Sequence, residues 1–261
     1  MKPSLADVLG PRLAPLDLDH RLQLVREFVP GRIIFTTSFG IEDQWITHVI
    51  FTRGLDIEVA TLDTGRLFPQ TYDLWERTEA RYARRIAAVY PQAEPLQKWV
   101  RDNGVNGFYK SVDNRKACCH LRKVEPLTRL LAGASAWITG LRADQSTERG
   151  AFDVVEFDAG HKLLKVNPLI DYSRERIVAA TEEFDVPVNE LHAQGFLSIG
   201  CAPCTRAIEP GESERAGRWW WEEAAKKECG LHVGEDGVLR PGPSHEDPAH
   251  EDPAPTSEAA Q

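Results

Sequence analysis

The chain has 261 residues, 42% hydrophobic and 27% charged, with five cysteines and a formal net charge of −9. That length supports one sizeable core with appendages. An acidic balance argues against a nucleic-acid-binding surface, and no apolar run reaches the roughly 20 residues that span a bilayer.

The N-terminus lacks the unbroken apolar stretch of a signal peptide, so a cytoplasmic location is expected. In that reducing compartment cysteines serve metal binding or catalysis rather than disulfides. Residues 1–15 read as a Pro-rich lead-in. Within 17–29, Leu18, Leu22, Val25 and Phe28 fall at helical spacing, and Pro30-Gly31 closes that helix. Arg32–Thr37 is a β-rich run, followed by Ser38-Phe39-Gly40-Ile41-Glu42-Asp43 and a helical stretch. A strand, a Ser/Gly turn and a helix present backbone N–H groups to a phosphate, although the Gly-Lys-Ser/Thr ending of a Walker loop is missing. The plainer reading is a βα turn whose Ser and Asp cap the helix.

Ile57–Leu62 is a second strand that ends in Asp63-Thr64-Gly65-Arg66, where open α/β sheets bind ligands. A helix opening near Pro69 and a short strand at 86–90 complete a βαβαβ rhythm, the sign of a parallel sheet. Residues 91–117 read as less regular. A helix over 120–131 keeps Lys123 one turn from Cys119, and a fourth strand, 135–139, runs into Gly140-Leu141-Arg142. Residues 152–157 and 162–166 form a hairpin, and Ser173 caps a further helix. The three tryptophans Trp219, Trp220 and Trp221 cannot share one helix face; they either pack the C-terminal segment on the core or belong to a flap that excludes water. Beyond Arg240 there are five acids and no Lys or Arg, and HEDPA occurs twice in tandem. This tail reads as disordered.

The cysteines organise the rest. Cys118 and Cys119 are adjacent, Cys201 and Cys204 form a Cys-x-x-Cys, and Cys229 stands alone. Four thiolates brought together suit a soft metal centre. Adjacent cysteines strain to reach one tetrahedral zinc, whereas the separate corners of a [4Fe–4S] cubane accept neighbours, so the spacing favours the cluster. Buried cysteines acting as small hydrophobes would not explain Lys116, Arg122, Lys123 and Arg206 beside them. A lone Cys229 near a mobile end is a candidate nucleophile.

SFGIED, LDTGRLFP, KACCHLRK, TGLRADQS, CAPCTR, GRWWWE and ECGLH, in this order from about 32 to 232, resemble the iron–sulfur adenosine 5′-phosphosulfate (APS) reductases of the PAPS/APS (phosphoadenosine phosphosulfate) reductase family. The resemblance implies an adenine-nucleotide α-hydrolase-like, Rossmann-like α/β fold with a modified pyrophosphatase (PP) loop. It implies a [4Fe–4S] cluster on Cys118, Cys119, Cys201 and Cys204. It implies thioredoxin-dependent reduction of APS to sulfite and AMP in sulfate assimilation for cysteine biosynthesis, through an S-sulfonate on Cys229. Lys123, Arg215 and Arg218 would contact substrate, with Arg142 a further candidate. Ser38, Gly40 and Asp43 would form the phosphate loop, and Leu62 and Asp63 the nucleoside side. The corresponding division is a lead-in (1–15), a sulfonucleotide-binding domain (16–211), a mobile catalytic segment (212–233) and a tail (234–261). Homo-oligomer formation stays open.

Three alternatives remain at this point. One is reduction of the 3′-phosphorylated substrate, PAPS. Another is a PP-loop ATP-pyrophosphatase or thiolase with structural zinc, and the third is a zinc-binding interaction module.

Overall fold

The computed structural model describes residues 4–145 and 152–222. Six strands form one sheet in the order β3-β2-β1-β4-β6-β5. They are β1 (Ile33–Thr37), β2 (Glu58–Leu62), β3 (Ala87–Val89), β4 (Ala136–Ile138), β5 (Val155–Asp158) and β6 (Leu163–Val166). All neighbours run parallel except the antiparallel β5–β6 pair, which is the hairpin expected from the sequence. Strand β1 is central because it is apolar on both faces. Ile33 and Phe35 enter the main core, and Ile34 joins Ala60, Leu127 and Trp137 on the opposite face.

The chain builds outward from β1 through β2 to β3, then returns to place β4 on the other side of β1. The sheet order therefore reverses between β1 and β4. At such a switch point the two flanking loops diverge and leave a crevice at the carboxyl ends of the strands. Helix α3 (Ile41–Thr52) follows β1, and α4 (Pro69–Tyr82) follows β2 with Pro69 in its first turn. Helix α8 (Arg174–Glu183) starts at its Ser173 cap and packs on α3.

Two stretches differ from expectation. The lead-in contains helix α1 (Leu5–Leu13), opened by a Ser4/Asp7 capping box and buried through Leu9 and Leu13; α2 (Leu18–Phe28) follows directly. Pro11 inside α1 disguised its period, but only one intrahelical N–H is lost there. Residues 91–117 contain α5 (Ala93–Asn103) and α6 (Val112–Cys119). Leu96, Trp99 and Val100 give α5 a short apolar stripe, although only Trp99 is buried, and the charged residues around it read as an irregular stretch. Arg21, fully buried, ties the α1–α2 turn to the segment before α8. It donates to the carbonyls of Leu13, Ala14 and Pro168 and to both oxygens of Asp171 at 2.6 and 2.7 Å.

Candidate active site

The crevice at the β1/β4 switch point is a pocket floored by the ends of β1, β2 and β4 and roofed by residues 197–200 and 214–219. Its first wall is the turn from β1 into α3. Phe39 takes a left-handed conformation (φ 61°) and buries its ring against Trp75, which leaves Ser38 and Gly40 facing the pocket. Asp43 closes the turn: one carboxylate oxygen accepts from the Ser38 N–H at 2.6 Å and the Ser38 hydroxyl at 2.8 Å. Gly40 is the N-cap of α3 without a side-chain cap, so the free N–H groups of that helix end open towards the pocket. Gly140 must be glycine, because a Cβ there would fall on Asp43 Oδ1.

Leu62 lines the pocket, while Asp63 turns to the Gly65 N–H and the Tyr72 hydroxyl, both at 2.8 Å. Burial, together with Asp63, pushes the Tyr72 phenol up to about 12. The next residue, Thr64, connects two sites. It lines the pocket, and its Oγ1 lies 3.3 Å from Cys201 Sγ while accepting from the Arg66 N–H at 3.2 Å. The Thr64 carbonyl accepts from Arg122 at 2.5 Å.

Cys118, Cys119, Cys201 and Cys204, distant in sequence, line one small cavity with Arg66, Arg115, Arg122 and Lys123. Cys118 and Cys119 end α6, and the chain then widens into a π-helical turn, His120–Val124, before α7 (Glu125–Leu131). Such turns recur at functional sites because they re-aim side chains; here Lys123 lines both the cysteine cavity and the pocket. None of these four cysteines is in a disulfide. Burial raises the Cys118 thiol, and burial with the neighbouring Cys201 pushes Cys204 up to about 12; Lys123 and Arg218 act in the opposite direction on Cys204. Four thiols crowded into one cavity become thiolates together only around a cationic centre. The donor set therefore fits a thiolate-ligated group. Among the described residues no three His, Cys, Asp or Glu side chains close around a single metal ion.

The roof is a strap, residues 212–222, with no helix of its own. It pairs with the Cys-x-x-Cys loop: Arg206 N–H donates to Gly217, Trp219 N–H donates to the Cys204 carbonyl at 3.1 Å, and Thr205 bridges Arg218. The Arg218 guanidinium lies on Gly200, where a Cβ would overlap it, and stacks on the buried Trp219. Trp220 is exposed, so the three tryptophans do part company. At the strap's end Glu222 grips the fully buried Arg115 of α6 through two bonds of 3.0 and 2.8 Å. Arg215 and Arg218 both line the pocket.

Arg142, expected to offer its charge to substrate, is fully buried. It donates to Glu42 at 2.8 Å and to Glu214 at 2.6 Å. A strand-end arginine faces ligand or carboxylate according to what other segments bring, and Glu42 and Glu214 come from α3 and the strap. Glu42 and Thr64 were read only as members of the two strand-end motifs, and Gly200 and Glu214 were not singled out from the sequence; only the adjacency of Glu214 to Arg215 and of Gly200 to Cys201 could have drawn attention to those two. Cys229 and the tail lie outside the described residues.

The switch-point pocket, the helix end and the PP-like turn define an α/β nucleotide-binding protein with an attached four-cysteine site. The same architecture occurs in the phosphoadenylyl-sulfate (PAPS) reductase from Candida auris, solved as a phosphate complex. It is 27% identical, covering 80% of this chain and 99% of that one, with a TM-score of 0.68. The phosphoadenosine phosphosulfate reductase domain matches residues 32–207, and the chain belongs to that family. The adenosine 5′-phosphosulfate reductase of Sinorhizobium fredii (strain NBRC 101917 / NGR234) is 54% identical over 230 residues, 88% of this chain and 91% of that protein. That of Allochromatium vinosum is 46% identical over 240 residues, 92% of this chain and 93% of that protein.

Proposed function

We propose that this chain is a thioredoxin-dependent APS reductase, producing sulfite and AMP. The observation that carries the reading is that Lys123 and Arg218 line the nucleotide pocket and also act on the cysteine site. An anionic substrate beside a thiolate-rich centre needs cations facing both. In this reading the Gly40 N–H and the start of α3 hold the phosphate, with Asp43 keeping the turn closed through the Ser38 N–H. Leu62 flanks the nucleoside and Asp63 shapes the turn beside it, while Lys123, Arg215 and Arg218 offset the charge of the phosphosulfate.

The Cys229 thiolate attacks the sulfur of APS; the bond from sulfur to the bridging oxygen breaks and AMP leaves with the electron pair. A thioredoxin thiolate then attacks Cys229 Sγ, the S–S bond breaks, and sulfite departs. The second thioredoxin thiol resolves the mixed disulfide and returns Cys229 as a thiolate. The two electrons that reduce sulfur come from thioredoxin, which leaves as a disulfide. Cys118, Cys119, Cys201 and Cys204 would hold a [4Fe–4S] cluster. When bound it supplies structural order and an electrostatic field rather than electrons, with Lys123 linking it to substrate.

Anaerobically purified protein should bind about four irons per chain and absorb broadly near 400 nm. It should release sulfite from APS only when reduced thioredoxin is present. Cys229→Ser should keep the colour and lose turnover by at least about a thousandfold, the scale set by removing a nucleophile. Turnover surviving that substitution would remove Cys229 from the reaction. Zinc in place of iron, with ATP consumption, would move the chain to the ATP-pyrophosphatase alternative, and equal use of PAPS to the other.

A further inference from the structure

A pocket built for an anion is lined by three carboxylates, Glu42, Asp43 and Glu214, of which Asp43 is turned to Ser38. Left alone, Glu42 in the first turn of α3 would compete with a phosphate for that helix end. It is not left alone, because Arg142 holds it with Nε and holds Glu214 with Nη2. Gln145 also donates to Glu42, and Arg174 at the start of α8 approaches the other oxygen of Glu214 at 3.5 Å. The charges of Arg142 and Arg174 balance those of Glu42 and Glu214, so these four side chains add no net charge beside the pocket. A buried ion pair is weak evidence for stability but can fix one arrangement over others. Here it fixes the strap to the phosphate-loop helix. The residue after Glu214 is Arg215, whose backbone can go no further than Glu214 allows.

We infer that Glu214 is a positioning residue: clamped between Arg142 and Arg174, it holds Arg215 against the anionic end of the substrate. The choice of APS rests on the function proposed above, but the effect on an anionic nucleotide does not. The sign of the effect separates this role from its rivals. A carboxylate that merely sat beside an anion site would weaken anion binding, and its neutralisation would tighten it. A positioning carboxylate does the reverse.

The test uses the cluster-loaded full chain and the variant Glu214→Gln, measuring KM and kcat with APS and calorimetric binding of AMP and adenosine. KM should rise about tenfold, the loss of one well-placed charge contact, with kcat changing less than about twofold. AMP should bind correspondingly more weakly and adenosine as before. Glu214→Asp, one methylene shorter, should fall between. Should Glu214→Gln fail to fold, Arg174→Met removes one arm of the clamp and should show the same pattern at smaller size. Tighter AMP binding, equal weakening of AMP and adenosine, or no change in either would overturn the inference. Absence of APS turnover by the wild-type chain would overturn the proposed function instead, and AMP binding would still decide the role of Glu214.

Discussion

The two walls of the pocket are made in opposite ways. The β1–α3 wall closes on itself within six residues, since Asp43 reaches back to Ser38. The strap wall closes locally only through single backbone turns, and what ties it to the core comes from Cys204, Arg206, Arg115 and Arg142. The first wall is therefore as rigid as the sheet behind it, and the second is as ordered as the cysteine site and the arginines it borrows. Fixed donors can wait for a phosphate on the first wall. Of the cations proposed to offset the substrate's charge, Arg215 and Arg218 sit on the second, beside the cysteines.

Substitutions can set one wall against the other. Gly140→Ala attacks the local wall, since the new Cβ meets the Asp43 carboxylate that closes the turn. Overpacking against buried side chains costs about 1–3 kcal/mol. Thermal stability should fall by that amount, with APS and AMP binding weakened together, while the iron content stays normal. Gly200→Ala attacks the strap wall at the seat of Arg218. Its KM for APS should rise about tenfold, as for one lost charge-assisted contact, and its visible spectrum should shift because Arg218 acts on Cys204. A spectrum identical to wild type with an unchanged KM would mean that the seat is loose and the two walls are not distinct.

The smallest effect should come from outside both walls. Hydrogen bonds from Arg21 hold the Asp171 carboxyl below the usual carboxylate range. Its stabilising contribution is complete above the unfolded value near 3.9 and is lost as pH falls through the lower folded value. Asp171→Asn should cost about 1 kcal/mol near neutrality, because Asp171 is half exposed and Arg21 keeps three carbonyl partners. The variant should approach wild-type stability in acid, with AMP binding unchanged throughout, as urea melts and calorimetry across pH would show.

Much of the first wall was legible in the sequence, because apolar runs, Ser38-Phe39-Gly40 and the Ser173 cap are local signals. The convergence of the two cysteine pairs was legible as chemistry but not as geometry. What stayed hidden depends on partners far along the chain. Arg142 reads as a substrate cation until Glu42 and Glu214 are beside it, and Thr64 is one more turn residue until Cys201 arrives 3.3 Å away. Helix α1 was hidden by Pro11, while the short Leu96, Trp99, Val100 stripe of α5 was present in the sequence but masked by the charges around it.

The wide turn at His120–Val124 imposes a rule of length. Each π-type hydrogen bond encloses one residue more than an α-type bond, so the segment between Cys119 and Glu125 carries a surplus that an ordinary helix would not hold. Removing one residue would let the helix run on unbroken but rotate Lys123 by about 100° relative to Cys119. One side chain could then no longer face two cavities. Along this stretch the chain can exchange residue types more freely than it can change their number.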